Sequence, residues 1–126
     1  MTNETHKVLL CLASNCQQEQ NMEAARSLLS EQLTDLHYTT EHWTDPVTSQ
    51  RACPRVRYLN QLATGTTDLE AEDLNLRLKE IEQQLGRKHD KSSVVTIDID
   101  LLQYDDTRYH LRDWERDYVK DLLVEL

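Results

Sequence analysis

The sequence predicts an α+β fold, an antiparallel sheet with helices on one face and a further helix at the C-terminal end. Three observations predict it. Strand-like and helix-like stretches follow in the order strand, helix, strand, strand, helix, strand, helix. Two stretches place apolar residues at helical spacing over several turns: Met22, Ala25, Leu29 and Leu33, then Leu74, Leu78, Ile81 and Leu85. The other ordered stretches are short and rich in apolar, β-branched or aromatic residues, as strands require.

Residues 7–13 (KVLLCLA), apolar from Val8 onward, read as a central strand, and the polar residues 14–20 as a loop. A helix follows from Asn21. Residues 36–43 (LHYTTEHW) read as a strand, residues 44–55 as a long loop holding both prolines, Pro46 and Pro54, and residues 56–66 (VRYLNQLATGT) as another strand. Thr67 and Glu70 (T-D-L-E) have the spacing of a capping box ahead of the second helix. Gly86 stands at its end, where a residue free to turn left-handed is wanted. After a charged loop at 88–93, residues 94–104 (VVTIDIDLLQY) read as a strand. Trp114, Tyr118, Leu122 and Leu126 then give a last helix. The first six elements are the β-α-β-β-α-β arrangement of ferredoxin-like folds, a base for many functions. The 126 residues suffice for a single domain over 1–126.

Composition narrows the functions. A hydrophobic content of 38% against 29% charged residues is the balance of a globular chain. The longest early apolar run, residues 8–13, is too short to span a bilayer, so the expected location is the cytoplasm. The net charge of −9 disfavours nucleic acid and anionic membranes as partners. Cys11, Cys16 and Cys53 form no CxxC pair and are odd in number, so they read as free thiols. The only glycines are Gly65 and Gly86, which rules out a Walker loop or a Rossmann turn. Phosphate binding here must come from side chains and metal.

Three groups could carry chemistry. Asp98 and Asp100 alternate on a strand, so they project from one face roughly 7 Å apart, while Ile97, Ile99 and Leu101 point to the core. Two such carboxylates repel unless a cation joins them, and a small oxygen set that leaves room for waters and phosphates suits Mg²⁺. Taken alone, the pair fits a solvated acidic face as well. Arg87, Lys88, Lys91, Arg112, Arg116 and Lys120 form a basic set suited to phosphate, although Arg87 and Lys88 also complement a helix C-terminus. Tyr58 and Asn60 share a strand face and offer a ring and an amide to a flat heterocycle, or else a core-edge tyrosine beside a surface amide.

In this order the groups are familiar. The chain resembles the 6-hydroxymethyl-7,8-dihydropterin pyrophosphokinases of folate biosynthesis over nearly its whole length. Ala13-Ser14-Asn15 is similar to the family's Gly-Ser-Asn, and Tyr58-Leu59-Asn60 to its Tyr-Leu-Asn. Residues 81–87 (IEQQLGR) match I-E-x-x-L-G-R, and residues 96–102 (TIDIDLL) match T-I/L-D-I/L-D-L-L. His110-Leu111-Arg112, Glu115-Arg116, Tyr118-Val119 and Glu125-Leu126 fall in register with H-P-R…R-x-F-V…E-I. Where the family carries R-W-G-P-R-T, this chain has Lys91-Ser92-Ser93-Val94-Val95-Thr96, without either arginine.

The resemblance implies an ATP-dependent diphosphotransferase that moves pyrophosphate from ATP to the hydroxymethyl group of the dihydropterin and releases AMP. Asp98 and Asp100 would hold two Mg²⁺ ions, and Arg87 and His110 would join them as catalytic residues. Arg87, His110, Arg112 and Arg116 would meet the ATP phosphates. Thr44, Val47, Tyr58, Asn60, Arg116 and Tyr118 would bind the pterin. The partners so implied are small molecules, with no nucleic acid and no membrane, and the chain is expected to act as a monomer. The missing arginines leave room for a catalytically degenerate relative that binds nucleotide or pterin without turnover. A ferredoxin-like regulatory or interaction module fits the fold alone.

Overall fold

A computed structural model of the protein describes residues 4–45, 57–87 and 94–126. Val47, Cys53, Lys88 and Lys91, with most of both intervening loops, lie outside the described residues. The elements are β1 (His6–Ser14), α1 (Gln18–Leu29), β2 (Thr34–Tyr38), β3 (His42–Thr44), β4 (Tyr58–Thr67), α2 (Ala71–Gln84), β5 (Asp98–Tyr104), β6 (Thr107–Arg108), a 3-10 turn at Asp113–Glu115 and α3 (Asp117–Leu123). The sheet runs β2-β4-β1-β5-β6, with β3 also on β4, and every pairing is antiparallel. Leaving out the short β3 and β6, this is the ferredoxin-like order that the sequence predicts. No helix among the described residues is long and apolar enough to cross a membrane.

Alternation along the central strands builds two cores. Val8, Leu10 and Leu12 of β1 face α1 and α2, meeting Met22, Ala25, Leu29, Leu74, Leu78 and Ile81, together with Ile97, Ile99 and Leu101. Leu9 and Cys11 face the other way and pack with Leu62, Leu102, Val119 and Leu122 under α3. The C-terminal helix therefore covers part of the face that the other two leave open.

Several boundaries differ from the sequence expectation. The strand expected at 36–43 is two strands, because the Thr39 hydroxyl accepts the Leu62 N–H (3.0 Å) and the Gln61 amide occupies the Thr39 carbonyl (2.7 Å). These side-chain bonds take the place of a regular ladder, and the chain leaves the sheet at 40–41. The capping box does not form. Thr67 is the last residue of β4, its hydroxyl accepts the Leu69 N–H, and the helix starts only after Glu70. α1 begins three residues before Asn21, and Leu33 joins the core from beyond its end. The last helix is preceded by the 3-10 turn. Gly86 does take the left-handed conformation (φ 95°). The Gly86 N–H bonds the Gln83 carbonyl and the Arg87 N–H the Glu82 carbonyl, a Schellman termination.

Candidate active site

Antiparallel register sets the site. Asp100 pairs with Cys11 and Asp98 with Ala13; on the other side of β1, Ala13 pairs with Asn60, which pairs in turn with His42. Directly opposed residues share a face, so His42, Asn60, Ala13 and Asp98 form one row across four strands. Leu62, Cys11 and Asp100 form the next. α3 packs over the second row, and the first row lies beyond it. Ala13 supplies a small floor between an amide and a carboxylate.

The edge of β5 is held by α2. The Glu82 carboxylate, almost fully buried, accepts the Ile99 N–H (2.8 Å), and Arg87 donates to the Ile97 carbonyl (3.0 Å). From the other side, Ser14 donates to the Thr96 carbonyl (2.6 Å), while Asn15 accepts the Val95 N–H (2.6 Å). The I-E-x-x-L-G-R and Ala-Ser-Asn segments thus grip the strand that carries both aspartates.

Two cations and an imidazole surround the carboxylates. Asp98 lies 3.7 Å from Arg87 and 3.9 Å from Lys79; Asp100 lies 3.7 Å from Lys79 and 3.9 Å from His110. Asp100, His110 and Asp113 place one ligand atom each within 4.8 Å of one another. His110 is held there with φ 52°, a left-handed conformation uncommon outside glycine. Arg116 pairs with Asp113 at 3.0 Å. Burial, and then the neighbouring Asp98 charge, lift Asp100 to about 6; Lys79 and His110 pull it down and Asp113 pushes it up.

The aromatic side of the site lies around Tyr118. Its hydroxyl is 3.8 Å from the Cys11 sulfur, and its ring is stacked 6.3 Å from that of His42. Burial raises the Tyr118 hydroxyl, and it pushes the Cys11 thiol up to about 12, so this cysteine stays protonated. Asn60 is buried, and its amide nitrogen donates to the His42 carbonyl (2.9 Å) and the Thr44 hydroxyl (2.8 Å). Tyr58 pairs with Thr44 across β3 and β4.

The structure therefore brings Asp98, Asp100, Arg87, His110 and Arg116 together at one end of the face, with Asn60, Thr44, Tyr58 and Tyr118 alongside. Arg112 is exposed at the start of the 3-10 turn, and no ion pair among the described residues joins it to the aspartates. Val47 falls outside the described residues. Lys79, Glu82 and Asp113 are additions to the site residues that the sequence suggested. Glu82 is the glutamate of the I-E-x-x-L-G-R match, though without an assigned role; Lys79 shares its flank of α2 at i,i+3, and Asp113 follows His110 by three.

The donor set suits a divalent cation. The four contacts of Asp98 and Asp100 with Lys79, Arg87 and His110 span 3.7–3.9 Å, longer than charge-assisted hydrogen bonds, so the carboxylate oxygens keep lone pairs for an ion. Hard carboxylate oxygens in small number fit Mg²⁺.

Residues 9–126 match the family model described as 7,8-dihydro-6-hydroxymethylpterin-pyrophosphokinase. The chain belongs to that family. No curated protein matches the sequence. Among solved structures, this pyrophosphokinase-family chain is similar to B. subtilis GlnK in its ATP complex, at 11% identity, 89% coverage of this chain and 91% of that one, with a TM-score of 0.45. A second B. subtilis GlnK structure is 10% identical, with 78% and 86% coverage and a TM-score of 0.35.

Proposed function

We propose that the protein transfers pyrophosphate from ATP to the hydroxymethyl group of 6-hydroxymethyl-7,8-dihydropterin, releasing AMP, as a step of folate biosynthesis. The observation that carries this reading is the pair Asp98 and Asp100 on one sheet face, ringed by Lys79, Arg87 and His110. Membership of the pyrophosphokinase family supports it.

Asp98 and Asp100 would hold Mg²⁺, two ions by family likeness, with Asp113 and His110 beside Asp100. Bound Mg²⁺ supplies charge neutralisation of the triphosphate and of the charge that develops during transfer. The substrate hydroxyl attacks the β-phosphorus and gives up its proton to solvent, the bond from that phosphorus to the α,β-bridging oxygen breaks, and AMP leaves with that oxygen and its electron pair. Most of the acceleration comes from alignment and charge rather than from covalent participation by the protein. Arg87 steadies Asp98 while holding Ile97, and so fixes the metal strand. His110, Arg116 and the exposed Arg112 offer N–H donors to phosphate oxygens. Tyr58 and Tyr118 supply ring faces to the pterin. The Asn60 amide nitrogen is occupied by His42 and Thr44, which orients the amide and directs its oxygen to the donors on the pterin edge. Thr44, at the end of β3, and Val47 add contacts to the pterin.

The test mixes protein, ATP, Mg²⁺ and the hydroxymethyl dihydropterin and measures AMP. Magnesium-dependent AMP is expected, falling by at least about 10²-fold in Asp98→Ala. ATP binding by calorimetry with no AMP would instead indicate a relative that binds nucleotide without turnover. No binding of either substrate would overturn the proposal.

A further inference from the structure

Lys79 sits on α2, whose apolar stripe faces the opposite side of the sheet from Asp98 and Asp100, yet it reaches both. It does so around the outer edge of β5, which β6 covers only at Gln103 and Tyr104. Its ammonium donates to Glu82 Oε2 at 3.0 Å and to the Ile99 carbonyl at 3.3 Å. It then stands 3.7 Å from Asp100 Oδ1 and 3.9 Å from Asp98 Oδ1. Three carboxylates and a carbonyl therefore surround one ammonium. The aspartates are held by charge at distances longer than a hydrogen bond, whereas the two short bonds anchor the group on Glu82 and β5.

Arg87 is the other α2-side cation here, and it differs in kind. Its guanidinium supports the Ile97 carbonyl and is mostly buried, so moving it costs the strand a bond. Lys79 is more exposed, on a flexible four-carbon stem. We propose that Lys79 is a resident cation of the Asp98/Asp100 pair, balancing its charge in the absence of a divalent ion. It opposes entry of that ion until a nucleotide's polyphosphate offers the ammonium a new anion. The inference rests on the metal-site reading of the proposed function. Divalent-ion and nucleotide binding are then mutually dependent, each strengthening the other by the same factor.

The probe is Mn²⁺, followed by the electron paramagnetic resonance of the free ion and by calorimetry, with and without α,β-methylene-ATP. Lys79→Met keeps the stem and removes the charge. It is expected to bind Mn²⁺ about ten-fold more tightly than wild type without nucleotide. Its enhancement by the ATP analogue shrinks correspondingly. Lys79→Arg retains the charge and stays near wild type. The double variant Lys79→Met/Glu82→Gln avoids stranding a buried carboxylate while keeping an acceptor for the Ile99 N–H, and it shows the same tightening. Mn²⁺ affinity that is unchanged or weaker in both Lys79→Met proteins overturns the inference. If Asp98→Asn abolishes Mn²⁺ binding in that case, the metal site stands and only the role of Lys79 falls. If wild type binds no Mn²⁺ even with the ATP analogue present, or Asp98→Asn leaves binding unchanged, both fall.

Discussion

Asp100 has carboxylates near it in Asp98 and Asp113, and it is mostly buried. Its folded-state value of about 6 lies above the ordinary 3.8. Between these values the folded chain holds a proton that the unfolded chain has released. This group therefore favours folding at low pH, and that contribution is lost as pH rises through about 6. With metal chelated, Asp100→Asn should be more stable than wild type at pH 8, by on the order of 2 kcal/mol in urea denaturation. The gain should vanish near pH 4, and added Mg²⁺ should narrow it at pH 8 by compensating the wild-type charge. Equal stability of the two proteins at pH 8 would remove the electrostatic account of this site. At the same scale, Glu125 accepts both the N–H and the hydroxyl of Thr40 (2.8 and 2.7 Å), tying the chain after α3 to the break between β2 and β3.

Among the elements, the contact on which the proposed site depends most is between the end of α2 and the edge of β5. Glu82 closes the Ile99 N–H on a strand edge that has no neighbouring strand at that position among the described residues. Glu82→Ala orphans that N–H and one short bond of Lys79, and should cost about 1–3 kcal/mol, whereas Glu82→Gln keeps an acceptor and loses less. Amide exchange at Ile99 reads the clamp directly: it should accelerate in Glu82→Ala and stay slow in Glu82→Gln. Equal protection in all three proteins would mean that the clamp does not hold the strand. Much of this element structure was legible. The α2 stripe and Gly86 are local signals, and the alternation at 97–101 placed both aspartates on one face correctly. The break at Thr39 was not legible, because it depends on which side chains of β4 come opposite. The false capping box at Thr67 failed because β4 runs up to that threonine before the chain turns. Lys79 left only a polar position beside an apolar stripe, and its reach around β5 exists only once helix and strand are packed.

At the scale of the whole molecule, the sheet separates a core beneath α1 and α2 from a face that α3 covers in part. The covered part is apolar and the adjoining part carries His42, Asn60, Ala13 and Asp98. An apolar wall next to a row of fixed polar groups is the form of a small-molecule site. This division follows from strict alternation along β1 and β4, so the fold and the site arise from the same pattern. The most direct measurement is a crystal structure with Mn²⁺ and α,β-methylene-ATP, read by anomalous scattering. The account predicts anomalous density at Asp98 and Asp100, with the analogue's phosphates beside it and the Lys79 ammonium turned onto them. Density elsewhere, or a complex in which Lys79 still lies against both aspartates with no ion bound there, would contradict it.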